Sequence, residues 1–304
     1  MQITIGHLNP VDSAYHEAAK VFKNVLERMT EGKIKVRIIP ELSLSGGELI
    51  SDVQNGQLDI GITASSALGN LVPITNAFDF PYLFRNIQHA YRVLDGKIGD
   101  FVNEQIEEVG LKNLAWWENG FRHITTCCRP ITKPEDLRGL DFRTMDNEIH
   151  RTLFQVWGAN PISVPLYELY DALKNGTVDG QENPLGIIIP NRFHEVQSYL
   201  TLTGHVYSPA LFVMNKEVYD CYPWDIKEKI LHAANISRDF ERNFLRRNTP
   251  VYLQIARKIG MQILTKNDID FPAFVSTSKE VYTLLGKPYR SIHQEIRAMQ
   301  GFLF

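Results

Sequence analysis

The sequence predicts an α/β protein of two lobes with a long kinked helix spanning both, and three observations predict it. The first forty residues alternate strand, helix and strand. A helix that ends at Asn-Gly and leads into an apolar residue and Asp occurs in each half of the chain. From Trp224 a helical pattern continues past Pro250 without loop composition around the proline. A chain of 304 residues is long enough for two lobes with separate cores.

Ile3 to His7 reads as a short strand ending in a polar loop, Leu8 to Ser13. Ala14, Ala18, Val21, Phe22, Val25, Leu26 and Met29 recur at helical spacing, with charges on the other face. Ile34 to Ile39 alternates as a strand and stops at Pro40. This β-α-β opening predicts a parallel sheet with right-handed crossovers. A helix from about Gly47 to Gln54 and a strand from Leu58 to Ile62 follow, then a polar loop with Ser65, Ser66, Gly69 and Asn70. Residues 77 to 84 are apolar but broken by proline, which suits a packed loop. Asn86 to Val109 reads as helical and Leu114 to Trp117 as a strand. Trp116 and Trp117 point to opposite faces of that strand, and core positions suit both.

The repeated unit is Glu48-Leu49 to Asn55-Gly56-Gln57-Leu58-Asp59, echoed by Glu168-Leu169 to Asn175-Gly176-Thr177-Val178-Asp179. Each follows a strand ending at proline, Pro40 or Pro165. The echo predicts two lobes of like topology, each supplying strand ends to one cleft. Pro184 to Leu200 is helical in part. Ala210 to Asn215 is a strand that crosses back to the first lobe, and residues 278 to 304 form a last helix and a tail.

Hydrophobic residues make up 44% of the chain and charged residues 22%, values of an ordinary globular protein. The net charge of −3 gives no basis for binding nucleic acid or an anionic membrane surface. No apolar run approaches the roughly 20 residues of a transmembrane helix. Three cysteines, two of them adjacent at Cys127 and Cys128, read as free thiols. The motifs of nucleotide-binding loops, nucleophile elbows and zinc peptidases are missing, and the histidines show no metal-ligand spacing. The sequence therefore calls for no cofactor and no metal, and gives catalysis no specific support.

The informative stretch is 119 to 184. It contains Asn119-Gly120-Phe121-Arg122, then a segment from Arg129 to Gly139 leading into a strand, Leu140 to Thr144, that carries Arg143. Thr132 and Glu135 are spaced as a capping box for a short helical turn ended by Gly139. Val178-Asp179-Gly180-Gln181-Glu182-Asn183-Pro184 closes the stretch. Arginine presents a planar fork of donors that matches a carboxylate and stays charged at any relevant pH.

These segments resemble the solute-binding proteins of TRAP (tripartite ATP-independent periplasmic) transporters, in which a G-x-R, a T-x-x-D-L-x-G-L-x-x-R and a V-D-G-Q-E-N-P occur in this order. The resemblance extends from His7 to the long C-terminal helix. It implies a periplasmic-binding-protein-like fold with a hinge and a ligand cleft between lobes, lobe I being 1–119 with 208–247 and lobe II 120–207 with 248–304. It implies that Arg143 holds a ligand carboxylate, with Arg122 as a second partner and Asn183 completing the site. It also implies a periplasmic protein whose signal peptide is absent here, Met1 standing in place of a leader, and membrane subunits of the transporter as partners. In place of the family's N-x-Q-L-G-G-like loop stands Glu41 to Gly47, which alters the end of the cleft away from the carboxylate.

Ligands of α/β clefts lie outside the carboxyl ends of strands. His7 and Asn9, Ser65 and Ser66, Asn119, and Tyr207 with His205 occupy such places. One carboxylate clamp among neutral polar groups suits a uronate or another sugar acid. A C4-dicarboxylate or small hydroxy acid is the second expectation. An organic-acid lyase or hydrolase, or a ligand-sensing receptor domain, are readings of another class.

Overall fold

Both halves of the chain are built from one β-α-β-α-β unit. The computed structural model describes residues 1–299. The first unit is β1 (Gln2–His7), α1 (Ala14–Met29), β2 (Lys35–Ile39), α2 (Gly46–Gln54) and β3 (Ile60–Ala64). Two helices, α3 (Ile87–Leu94) and α4 (Lys97–Glu108), lead into a 16-residue strand, β4 (Leu111–Thr126). The second unit is β5 (Asp141–Thr144), α5 (Glu148–Val156), β6 (Asn160–Ser163), α6 (Leu166–Lys174) and β7 (Gly180–Pro184). Then come α7 (Leu185–Ile188), β8 (Tyr199–Thr201), β9 (Tyr207–Asn215), α8 (Lys216–Asp220), the 35-residue α9 (Trp224–Lys258) and β10 (Gln262–Leu264). The chain ends with α10 (Phe271–Thr277), α11 (Lys279–Leu285) and α12 (Arg290–Ala298).

The strand order is β2-β1-β3-β9-β4-β7-β5-β6, with β8 and β10 attached beside β4. Read outward from the centre the two halves mirror each other. In each, three strands are parallel and the crossing strand beside them, β9 or β4, is antiparallel. β9 and β4 pair with each other through the centre, with a register shift between Glu118 and Gly120. Gly120 has φ 114, a conformation open to glycine at little cost, and the strand passes there from one half to the other.

The repeated unit has matching turn chemistry. Gly56 (φ 71) and Gly176 (φ 70) follow α2 and α6 in the left-handed conformation that ends a helix. The aspartates do the same work too. Asp59 accepts from the Thr4 N–H at 2.6 Å, and Asp179 accepts from the Asp141 N–H at 2.9 Å. Each carboxylate thus satisfies a backbone donor on the first strand of its own half.

Trp116 and Trp117 are buried, as core positions require. Trp117 stacks on Phe212 of β9, and Trp116 meets Phe78 edge-on. α9 packs on α1 near its start and buries Tyr252 and Ala256 in the core of the second half, continuing through Pro250.

Four local expectations change. Residues 86 to 109 form two helices broken at Asp95-Gly96. The turn at Pro134–Leu137 is capped by Asp136, which accepts from the Thr132 N–H and hydroxyl and the Lys133 N–H at 2.8, 2.7 and 3.0 Å. Pro134 opens this tight turn without an N–H to offer, so the reach-back comes from the carboxylate. Residues from 279 break at Gly286 and Pro288 into short helices, and the tail at 300–304 lies outside the described residues. Last, α12 and α11 pack against 77–89 (His89 Nε2 to Ile296 O, 2.8 Å; Tyr282 hydroxyl to Pro81 O, 2.8 Å), while α10 packs on Trp157. The C-terminal helices therefore touch both halves instead of one.

Removing the Asp59 carboxylate leaves the Thr4 N–H without its charged acceptor, an interaction of about 1.5–3 kcal/mol. Asp59→Ala should lower stability by about that amount in denaturant unfolding, and Asp59→Asn by less. Equal losses in both variants would mean that the hydrogen bond is not the cause.

Candidate functional site

The two halves enclose a cavity of about 380 Å³. Equivalent parts of the repeated unit wall it from opposite sides: Ser45 to Gly47 at the start of α2, and Ser163 to Leu166 leading into α6. The strand ends add Asn183 from β7 and Arg143 from β5. Thr63, Asn70 and Asn119 contribute further neutral polar groups.

Arg143 is 4% exposed. Its Nε donates to the Val164 carbonyl at 2.9 Å, and Nη1 is buried with no partner inside the protein. Burial lowers its pKa to about 10, with Arg122 acting in the same direction and Glu182 opposing, so it remains a cation at neutral pH. Asn183 lines the cavity with its amide engaged: Oδ1 accepts from Arg122 Nη2 at 3.0 Å and Nδ2 donates to Gln181 Oε1 at 2.6 Å.

Behind this wall lies a buried ionic cluster centred on Glu182. Arg122 grips the Glu182 carboxylate through Nε and Nη2, and Nη2 also reaches the Glu182 carbonyl at 2.7 Å. His150 bridges Glu182 (3.3 Å) and Asp79 (3.1 Å). His205 Nε2 lies 3.2 Å from the other Glu182 oxygen. Burial alone would raise the Glu182 pKa, but Arg122 and His150 hold it well below the usual carboxylate range. Burial would lower that of His150, and the two facing carboxylates raise it instead. His205 is pushed down by burial and accepts from the Thr203 hydroxyl at Nδ1 (2.7 Å) while donating to Glu182.

The ionic partners can be matched. Arg122 faces Glu182, and His150 lies between Glu182 and Asp79. Each of these buried carboxylates has a partner, and Arg143, at the cavity wall, is the cation without a carboxylate partner. Such a site can take one carboxylate, and the neutral groups around it can hydrogen-bond hydroxyls.

The structure separates the sequence candidates. Arg143, Asn183, Asn9 and Asn119 line the cavity, and Asn119 Oδ1 is a buried acceptor without a partner. Arg122 does not; it is fully buried, one hydrogen bond removed from the cavity, because Glu182 takes two of its nitrogens. His7 turns back onto α1, where Nε2 meets His16 Nδ1 at 3.0 Å and Nδ1 accepts the Asn9 N–H. Tyr207 is packed between Phe84 and Phe121, since β9 pairs with β4 at that register. Ser65 is buried outside the cavity lining, and the Ser66 hydroxyl points to Met145 Sδ at 3.3 Å. The sequence reading missed Tyr15, whose buried hydroxyl lines the cavity without a protein partner, and His150. Tyr15 sits on the apolar stripe of α1 and reads as core from its spacing.

Polar contacts across the cleft include, besides Ser66–Met145 and His150–Asp79, Asn147 Nδ2 to Asn76 Oδ1 at 2.8 Å and Asn191 Nδ2 to Asn9 Oδ1 at 3.4 Å.

Comparison with known proteins gives a consistent picture. The family model for bacterial extracellular solute-binding protein, family 7, matches residues 5–287. The 2,3-diketo-L-gulonate-binding periplasmic protein of Escherichia coli strain K12 is 34% identical over 273 residues, covering 90% of this chain and 83% of that protein. A TRAP periplasmic solute-binding protein from Polaromonas sp. JS666, solved with D-erythronate, superposes with a TM-score of 0.94 at 35% identity, covering 100% and 99% of the two chains. One from Roseobacter denitrificans OCh 114, solved with L-galactonate, has a TM-score of 0.92 at 30% identity, covering 97% and 98%.

The cluster makes two expectations. Arg122→Ala strands the buried Glu182 carboxylate and should cost roughly 3–5 kcal/mol in chemical denaturation; a loss under about 1 kcal/mol would show that Arg122 is not what holds Glu182. The histidines should also titrate apart. A raised His150 pKa stabilises fully below the unfolded value near 6.5, and that contribution is lost as pH rises through the folded value. His7, lowered to about 3 by burial and by His16, acts oppositely: stability falls as pH drops from about 6.5 toward 3. Histidine NMR at about pH 5.5 should find His150 protonated and His7 neutral, and the reverse assignment would refute both hydrogen-bonding schemes.

Proposed function

The chain belongs to the bacterial extracellular solute-binding proteins of family 7, and from that premise we propose that its ligand is a sugar acid with a single carboxylate, held by Arg143. It is a periplasmic solute-binding protein of a TRAP transporter, not an enzyme, and it works with the transporter's membrane subunits. The observation that carries the ligand reading is the Arg143 guanidinium: buried, cationic, with one nitrogen unpartnered, at a wall whose other charged group, the Asp146 carboxylate, is already paired with Arg151.

Among the described lining residues Arg143 is the one cation, so a second carboxylate would find no arginine or lysine to meet it. Hydroxyls, in contrast, face Asn9, Asn119, Thr63, Ser163 and the Tyr15 hydroxyl. This favours an aldonate over a C4-dicarboxylate. The relatives crystallised with erythronate and L-galactonate, both aldonates, support the same class.

The mechanism is capture by closure. The carboxylate docks on Arg143 beside Asn183, with Arg122 and Glu182 fixing that wall from behind. Lobe I (1–119 with 208–247) then closes on lobe II (120–207 with the first part of 248–304) by bending where β4, β9 and α9 cross between them, while α11 and α12 together stay in contact with both. Closure removes water from the arginine–carboxylate pair, which strengthens it. A ligand drives closure only as far as it binds the closed form better. The closed form is then the shape offered to the membrane subunits.

A thermal-shift screen followed by titration calorimetry tests this. Aldonates of four to six carbons should raise the melting temperature and bind stoichiometrically, while succinate and malate give no shift. A shift with dicarboxylates alone would overturn the monocarboxylate reading. Arg143→Ala leaves the ligand carboxylate buried without its partner, at roughly 3–5 kcal/mol, so affinity for the best aldonate should fall at least about a hundredfold. Unchanged affinity would remove Arg143 from the role.

A further inference from the structure

Away from the cavity, β4 ends at Thr126 and the chain bends through Cys127, Cys128 and Arg129. In an extended strand adjacent side chains point to opposite faces, so neighbouring cysteines would diverge. Here the bend brings them together. The two sulfurs and a carboxylate oxygen of Asp179 all lie within 4.8 Å of one another.

The bend is held in place. The Cys127 N–H donates to the Asp179 carbonyl at 3.0 Å, and the Thr126 hydroxyl donates to the Arg129 carbonyl at 2.7 Å. The Arg129 guanidinium donates to the carbonyls of Asp136 and Arg138, both at 2.8 Å, which ties its charge to the following turn. Asp179 is fixed as well: Oδ2 accepts the Asp141 N–H, leaving Oδ1 for another partner. Cys128 is exposed and Cys127 partly so, giving the three atoms a path to solvent.

We propose that Cys127, Cys128 and Asp179 form a binding site for a zinc-class divalent cation. Two thiolates and one carboxylate oxygen are a soft, anionic donor set, which suits Zn²⁺ or Cd²⁺ and not Mg²⁺ or Ca²⁺, whose ligands are all oxygen. Tetrahedral coordination leaves the fourth position to water on the exposed side. Binding displaces two protons, one from each thiol, and no electron is transferred. The Asp179–Asp141 hydrogen bond orients the carboxylate, the part that a neighbouring donor plays at metal sites generally. The site is independent of the sugar-acid reading. It lies at the heads of β5 and β7, whereas Arg143 and Asn183 sit further along those strands.

The test is titration of the whole protein, reduced with a phosphine and checked by thiol count, with Cd²⁺ followed by its ultraviolet thiolate charge-transfer absorption. The band should saturate at one ion per chain and be displaced by Zn²⁺. It should vanish in the Cys127→Ser/Cys128→Ser double variant and be unchanged in Cys221→Ser. Asp179→Asn should keep the two-thiolate band and weaken binding at least about tenfold, the smaller end of what losing even an outer partner costs. No band, an unaltered titration in the double variant, or saturation at half an ion per chain would each overturn the proposal. Aldonate binding measured on the same double variant should be unaffected, which keeps this outcome separate from the ligand assignment.

Discussion

Burying the Glu182 carboxylate is the constraint on which the rest of the site depends. A carboxylate removed from water must be matched by cations and donors or it destabilises the fold by several kcal/mol. Arg122 from β4, His150 from α5 and His205 ahead of β9 converge on it. These contacts fix β7 against three other elements. They also pair Arg122 with Glu182 and set His150 between two carboxylates, so that the cation left without a carboxylate partner is Arg143. On the proposed reading, the anion site is the cation that this internal pairing leaves over.

How much of this was legible in the sequence depended on how local each signal is. The repeated helix–Asn-Gly–strand unit was readable because its cause is local: a left-handed glycine ends each helix and an aspartate follows. Its consequence, the mirrored strand order, is a tertiary fact that the repeat only suggests. Arg143 and Asn183 stood out through their motifs, and both face the cavity. His150 carried no such signal, because its partners are 71 and 32 residues away and it occupies an ordinary position in a short amphipathic helix. His7 and Tyr207 sit at strand ends, where polar residues suggest a cleft. Both were claimed by neighbours, His16 and an aromatic cluster, that strand position alone does not reveal.

The repeat also shapes selectivity. Because both halves present the same loop ahead of the same helix, the cavity is walled by two like segments, Ser45 to Gly47 and Ser163 to Leu166. The asymmetry that matters chemically comes from β5 of the second half, where an arginine stands. Its counterpart region in the first half offers neutral groups. A ligand with one charged end and one hydroxylated end matches that polarity, and a ligand charged at both ends does not.

β9 has a further consequence, for the order in which the protein can be made. The first half's sheet needs β9 between β3 and β4, yet β9 lies at Tyr207–Asn215, after the whole second unit has been synthesised. Until those residues appear, β3 has an unpaired edge, and α1 lacks the long helix that covers it. Such non-local pairing makes assembly slow. The earliest residues to be made are therefore among the last to gain their full set of partners.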